Sequence, residues 1–343
     1  MEITIKAKSM LASFLRLLGI NSWKLGRYSN EDCAILMYHR VLPKKEQGHW
    51  VQSGMVVEPD TLDLHIRYLR KHFQIIPLSA LTTLHDRPPR ALREKPLCIL
   101  TFDDGWYDFY EYAYPILKRN EAPATVFLPT DFIGTNRWFW TDRVGRLLDR
   151  VPHSWSAIKG DSELQDPLVG QVVQMRGTVE SRLERVMALL KPCRVERVER
   201  ILSELTALAG EDPIPVGRAF ISWEEVREMS ASGLIAFGSH TAGHPILTTL
   251  TADEARHELK KSMDSLIGNK VVDPSFIPFC YPNGNFSESL SGMVRDAGYH
   301  LAVTTQYGWN HRGENPFTLR RVAIHQDMTS TEAMLESRIV NLL

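Results

Sequence analysis

Six stretches of the chain are apolar almost without interruption: Ala34–Tyr38, Leu97–Phe102, Ala124–Leu128, Leu234–Phe237, Phe276–Phe279 and Leu301–Thr304. A strand with one wet face alternates apolar and polar residues. Continuous runs suit strands covered on both faces, as in parallel sheets or barrels. Helical patterns lie between the runs. Leu62, Ile66, Leu69 and Phe73 recur at helical spacing after Pro59-Asp60. Ser222-Trp223-Glu224-Glu225 and Thr251-Ala252-Asp253-Glu254 both fit the capping box, and Gly233, Gly268 and Gly298 fall where helices should stop. Strand and helix patterns in alternation predict a parallel α/β architecture. The rhythm breaks between about Arg137 and Phe220. Helical spacing there marks Leu183–Leu190 and, after Pro192, the series Val195, Val198, Ile201, Leu202, Leu205 and Leu208. The pattern divides the chain into an N-terminal amphipathic segment (1–33), an α/β body (34–136 and 221–343) and a helical insertion (137–220).

The N-terminal segment runs Met10-Leu11-Ala12-Ser13-Phe14-Leu15, then Arg16, then Leu17-Leu18-Gly19-Ile20, with Lys6 and Lys8 upstream. Those lysines resemble the start of an export signal, but Arg16 interrupts the apolar stretch and no convincing cleavage site follows. A span would need about 20 nearly uncharged residues. The expectation is an amphipathic helix, packed on the body or lying peripherally on a membrane surface. A cytoplasmic location is expected, with a membrane-associated or exported protein as the alternative.

Composition narrows the function classes. The 343 residues carry 40 Lys+Arg against 41 Asp+Glu, so no bulk basicity points to nucleic acid, which is not expected as a partner. The cysteines Cys33, Cys98, Cys193 and Cys280 are scattered without a C-x-x-C pair. They read as small buried hydrophobes, not as a disulfide framework or a thiolate metal site.

Candidate chemistry gathers at the ends of the apolar runs. Thr101-Phe102-Asp103-Asp104-Gly105 closes one run with two adjacent carboxylates, which need a cation nearby if buried. Successive strand residues face opposite ways, so both can serve one site only if the chain turns, and Gly105 eases that turn. A plain N-cap for a helix over Trp106–Asn120 explains the same residues about as well. After another run comes Ser239-His240-Thr241-Ala242-Gly243-His244. Two imidazoles four apart lie on one face of a helical turn and can share a metal, a signal that is weak alone and far more specific beside a carboxylate. His39 ends the first run. A lone histidine there is ordinarily a core residue, but strand C-termini in parallel α/β proteins converge on one rim where active sites form. Phe279-Cys280-Tyr281-Pro282-Asn283-Gly284 runs into a tight turn, which either only turns the chain or presents a backbone N–H to a developing oxyanion. Trp138, Phe139 and Trp140 suit sugar stacking or a buried anchor equally.

Taken together these residues resemble the NodB-homology polysaccharide deacetylases, carbohydrate esterase family 4. Thr101–Gly105 is similar to the family's first motif, and His240–His244 to its H-[ST]-x-x-H metal motif. The resemblance implies a deformed parallel (β/α)7-like barrel, with Asp103 as catalytic base and Asp104, His240 and His244 as ligands of one divalent ion, Zn²⁺ first among candidates. The family's last motif, an apolar strand ending L-x-H, supplies the catalytic acid. Leu36-Met37-Tyr38-His39 is similar to it but precedes the first motif, the order of the circularly permuted poly-N-acetylglucosamine deacetylases. His39 is therefore the expected acid, with His325 in Arg321–His325 the alternative. Two departures stand out. Cys280 sits where the third motif carries arginine, leaving Arg320 or Arg321 to orient the base. The fourth motif is only echoed by Gln306-Tyr307-Gly308-Trp309. Tyr281 and Asn283 are the expected oxyanion and substrate-binding positions. The implied activity is metal-dependent removal of N-acetyl groups from amino sugars of a polysaccharide or glycan precursor, of exopolysaccharide or cell-envelope type. The alternatives are a catalytically silent carbohydrate-binding protein of the same fold and an amidase acting on a non-sugar amide.

Overall fold

A computed structural model describes residues 4–29, 31–48, 51–52, 54–84, 95–150, 164–210 and 217–343. Residues 151–163 and 211–216 of the expected insertion lie outside the described residues. The strands are β1 (Cys33–Tyr38), β2 (Arg40–Val41), β3 (Val56–Val57), β4 (Gln74–Ile75), β5 (Leu97–Phe102), β6 (Ala124–Leu128), β7 (Ile235–Ser239), β8 (Pro278–Cys280), β9 (Leu301–Tyr307) and β10 (Leu319–Ala323). Strands β1, β10, β9, β8, β7, β6 and β5 pair in that order, and β5 pairs back with β1. Every pairing is parallel, so a seven-stranded parallel barrel closes with no free edge. The short β4 adds to the start of β5, and β2 with β3 forms a separate pair.

The continuous apolar runs are barrel strands buried on both faces, as the lack of alternation required; every residue of β1, β5 and β6 is buried. Period-2 alternation sends Cys33 and Ile35, Leu97 and Ile99, and Leu301 and Val303 inward, where they form one apolar cluster with Phe127, Cys280 and Leu319. The next inward position on β10 is not apolar. It is Arg321, 1% exposed. The barrel interior is thus hydrocarbon below and a guanidinium above.

Helices α1 (Ile5–Leu17), α2 (Ile20–Leu25), α3 (Pro59–His72), α4 (Ala80–Leu84) and α5 (Tyr114–Arg119) belong to the same body. The insertion holds α6 (Trp140–Arg150), α7 (Pro167–Gln174), α8 (Val179–Leu190) and α9 (Val195–Ala209). The body resumes with α10 (Trp223–Ala231), α11 (Ala252–Gly268), α12 (Glu288–Asp296), α13 (Gln326–Thr329) and α14 (Glu332–Ile339). Both capping boxes form at α10 and α11. Gly233 and Gly298 follow the ends of α10 and α12 in the left-handed region, whereas at α11 that position falls to Lys270, two residues past Gly268.

The chain resolves into two compact units, Met1–Pro43, Gly54–Thr135 and Phe220–Leu343 on the one hand, and Lys44–Ser53 with Asn136–Ala219 on the other. The second has its own core, in which Leu183, Val186, Met187 and Leu190 of α8 meet Val198, Ile201, Leu202 and Leu205 of α9 at the spacing of one helical face. Trp140 packs on that core, Phe139 is buried, and the Arg146 guanidinium lies 4.6 Å from the Trp138 ring centroid. Phe139 and Trp140 therefore serve as an anchor, whereas Trp138 is half-buried against Arg146.

Candidate active site

Register places the first pair of groups. Tyr38 pairs with Phe102, so the next residues, His39 and Asp103, leave β1 and β5 at the same height. The Asp103 N–H donates to the Tyr38 carbonyl at 2.9 Å, and His39 Nε2 lies 3.7 Å from Asp103 Oδ2. From inside the barrel Arg321 forks onto both oxygens of Asp103, at 2.7 Å each, while its Nε donates to the Thr304 carbonyl. Cys280 completes the surroundings, with Sγ 3.5 Å from Asp103 Oδ2 and 3.2 Å from the Arg321 guanidinium. The residue at the third-motif arginine position is a thiol, and the guanidinium arrives instead from β10. Arg320, the other candidate, is exposed.

An extended chain would aim Asp104 away from Asp103's side. The backbone avoids this by going left-handed at Asp104 (φ 75°) and again at Gly105 (φ 65°). A Cβ on Gly105 would stand 2.8 Å from Leu128 Cδ2, so the turn needs glycine for space as well as for φ. Asp104 Oδ1 then faces His240 Nε2 at 3.5 Å and His244 Nε2 at 3.3 Å, and Oδ2 accepts from the Trp106 indole N–H at 3.0 Å.

The two histidines do not share a helical turn. They stand on an irregular loop after β7, with Thr241 (φ 65°) and His244 (φ 59°) both left-handed. Such backbone costs about 1–3 kcal/mol per residue and needs support. The support is dense. His240 N–H donates to the Leu128 carbonyl, and the Thr241 and Ala242 carbonyls accept from Thr130 and Asp131. One carboxylate oxygen of Glu258 takes the N–H groups of both Ala242 (3.0 Å) and Gly243 (2.7 Å). His240 Nδ1 donates to the Cys280 carbonyl at 2.8 Å, which leaves Nε2 as the lone-pair nitrogen facing Asp104.

The electrostatics follow from this geometry. Burial would raise the Asp104 pKa, but the hydrogen bond and charge of His244, with His39 and His240 behind it, hold it well below the usual range. Burial pushes Asp103 up too, and the charge and hydrogen bonds of Arg321 outweigh it, keeping the carboxyl ionised. Burial, reinforced by His244, brings His240 down to about 4, so its imidazole is neutral near neutral pH.

Asp104, His240 and His244 bring one ligand atom each within 4.8 Å of one another. At zinc bond lengths of roughly 2.0–2.1 Å, the edges of a tetrahedron are about 3.3 Å, close to the observed carboxylate–imidazole separations. The residues present fit a divalent ion. Asp103, His240 and Cys280 also lie close enough together. There the guanidinium already occupies both Asp103 oxygens, and burial raises the Cys280 thiol far from thiolate, so that set does not suit a metal.

Of the remaining candidates, Asn283 stays on the turn directly after Cys280, while Tyr281 and His325 bond other partners. Asn283 occupies the left-handed position of the turn just past β8, next to Gly284, where a Cβ would collide with Thr305. Tyr281 is turned away from the acidic pair: its N–H donates to the Val303 carbonyl and its hydroxyl to the Phe317 carbonyl. His325 caps α13, its Nδ1 against Asp327 at 3.0 Å, and no hydrogen bond or ion pair joins it to Asp103 or Asp104. Trp309 stacks on Tyr28 and donates to the Ile339 carbonyl, an anchor far from fourth-motif chemistry. Sequence reasoning missed Trp106, Glu258 and the pair Arg40–Asp108. Arg40 bonds Asp108 at 2.8–2.9 Å and lies 4.3 Å from the Trp106 ring centroid, while Phe220 stacks on the same indole. Only Trp106 had a visible signal, its place two residues after Asp104.

Known proteins give this arrangement a context. Several solved structures superpose on it, among them the following two. The deacetylase PplD of Streptococcus pyogenes, solved with acetate, has a TM-score of 0.56 at 20% identity, over 90% of this chain and 98% of that one. A de-N-acetylase from Aggregatibacter actinomycetemcomitans has 0.53 at 17%, over 91% and 100%. The Bacillus subtilis protein YxkH is 21% identical over 310 residues, 87% of this chain and 73% of its own. At these identities the solved structures establish a shared fold. The family model "Polysaccharide deacetylase" matches residues 91–302, roughly three-fifths of the chain. The match contains Asp103, Asp104, His240 and His244, while His39 and Arg321 come from the strands outside it. A closed parallel barrel, a matching central stretch and these four side chains on one rim agree: the chain belongs to the polysaccharide deacetylase family, enzymes that hydrolyse a non-peptide carbon–nitrogen bond.

Proposed function

We propose that the protein removes acetyl groups from the nitrogen of amino sugars in a polysaccharide or glycan precursor of exopolysaccharide or cell-envelope type, with one divalent ion, Zn²⁺ first, as cofactor. The observation that carries this reading is the division of labour between consecutive carboxylates. Asp103 is clamped by a guanidinium beside a histidine, and Asp104 faces two imidazoles. Asp104, His240 and His244 are the residues that would hold the ion, which when bound supplies Lewis acidity toward water and the acetyl oxygen.

This chain's own groups do the rest. Arg321 keeps Asp103 ionised, so the carboxylate can accept a proton from the attacking water. The water oxygen bonds to the acetyl carbon, and the N–H of Asn283 is the assigned donor to the developing oxyanion. The carbon–nitrogen bond then breaks, and His39 donates a proton to the departing amine. The products are acetate and a free amino sugar. General acid–base help of this kind contributes about 10²–10⁴-fold. A fold neighbour named as a de-N-acetylase and another solved with acetate support acetyl as the acyl group passed to water.

The test is acetate release from N-acetylglucosamine oligomers by the full chain and by Asp103→Asn. The proposal expects release that stops with chelator, and a variant that still binds metal but releases none. Acetate release retained by Asp103→Asn would remove Asp103 from its role.

A further inference from the structure

The N-terminal helices are inverted. Helix α1 docks on the body through Ala12, which joins Ala333 and Met334 of α14 in a small apolar cluster. At 100° per residue, Met10, Phe14 and Leu17 fall on the side opposite Ala12, with Leu11 and Leu18 on the adjoining flank. They are exposed accordingly: Met10 74%, Phe14 57%, Leu17 84%. Trp23 of α2 continues the same exposure at 65%. Elsewhere among the described residues, Ile267 is the one large hydrophobic exposed to a comparable degree. A contiguous apolar face of this kind marks an interaction site.

Charge says which kind. Between Glu2 and Glu31 the sequence contains Lys6, Lys8, Arg16, Lys24 and Arg27 and no acidic residue. Arg16 is held by Glu332 and Glu336 of α14. Lys8 reaches the Met328 sulfur beside Asp327 and Lys24 the Asn341 carbonyl, so both are drawn toward the body, whereas Lys6 and Arg27 stand in solvent. Arg27 lies 5.3 Å from the ring centroid of Trp23, an aromatic type favoured at the headgroup level. No helix among the described residues is long and apolar enough to cross a membrane. An apolar face with the exposed cations Lys6 and Arg27 beside it, on a helix too short to span, matches a surface-lying helix.

We propose that α1 and α2 form a docking surface for an anionic phospholipid bilayer. Met10, Phe14, Leu17, Leu18 and Trp23 enter the acyl boundary, and Lys6 and Arg27 meet lipid phosphates. This inference is independent of the chemistry proposed for the barrel rim.

The test is co-sedimentation of the full chain with vesicles of phosphatidylcholine containing roughly one-quarter phosphatidylglycerol, against phosphatidylcholine alone. The comparison protein carries Phe14→Glu and Leu17→Glu, both outward-facing, with its thermal melt and circular dichroism measured to show an intact body. The proposal expects binding to the anionic vesicles, weaker binding to neutral ones and at raised salt, and a bound fraction about tenfold or more lower in the double variant. Equal binding to both vesicle types, no binding above the lipid-free control, or binding that survives the double substitution overturns it. A concentration-dependent dimer in sedimentation velocity that the double variant abolishes also overturns it, assigning the face to a second copy.

Discussion

Arg321 holds Asp103 in a two-pronged ion pair, 2.7 Å on each prong, although the two lie 218 positions apart in the chain. Both groups are buried, so each is the other's main compensation for lost water. Breaking such a pair by deleting one partner costs about 3–5 kcal/mol, because the survivor stays buried and charged. Arg321→Ala is expected to lower stability by that order in urea unfolding. Arg321→Lys keeps a charge but loses the planar fork. It should fold with a smaller loss and show a large drop in kcat with KM little changed. Unchanged kcat in Arg321→Lys would mean that the fork does not orient Asp103 for the reaction.

Trp106 orients the other carboxylate, its indole N–H donating to Asp104 Oδ2 at 3.0 Å, with Arg40 and Phe220 against its ring. Trp106→Phe preserves most of the packing and removes the donor. Groups one step behind a metal ligand typically account for 10–100-fold in affinity. The expected result is metal affinity weaker by roughly that factor in a competition titration against a chelating dye. Affinity equal to that of the parent protein would make the indole a packing residue only.

His65 makes stability depend on acid. Its ring is fully buried, with Nε2 donating to the Thr329 carbonyl and Nδ1 accepting from the Tyr38 hydroxyl, so the native form is neutral. Burial brings its pKa down from 6.5 to about 4. The unfolded chain therefore binds a proton that the folded chain refuses between those values. Stability is whole above about pH 6.5 and falls as pH drops toward 4, by up to about 1.4 kcal/mol per unit from this group. Urea midpoints measured across that range should fall more steeply for the parent protein than for His65→Gln. Identical slopes would place the acid sensitivity elsewhere.

Much of the barrel was legible because parallel strands are buried on both faces and write themselves as continuous apolar runs. The capping boxes were legible because their partners are three residues apart. Strand β10 was not, since Arg320-Arg321 interrupts its apolar pattern. A buried arginine looks like a surface one until Asp103 is known to lie opposite. The sequence narrowed the guanidinium to Arg320 or Arg321 but could not choose, because the choice depends on which one the strand's register turns inward. His39 and Asp103 could be assigned to one rim from strand order alone. The histidine loop could not be drawn: a helical turn was the simplest way to bring His240 and His244 together. The actual loop needs a β-branched residue, Thr241, in left-handed backbone, held from Glu258 on a later helix.

The central claim is that Asp104, His240 and His244 hold one divalent ion on which hydrolysis depends. Metal content of the purified full chain and of Asp104→Ala, read together with acetate release before and after chelation, tests it most directly. The account predicts one equivalent of a divalent metal in the parent protein and release that chelation stops and metal restores. It predicts neither bound metal nor release in the variant. Full acetate release from metal-free protein, or an undiminished equivalent of metal in Asp104→Ala, would contradict it.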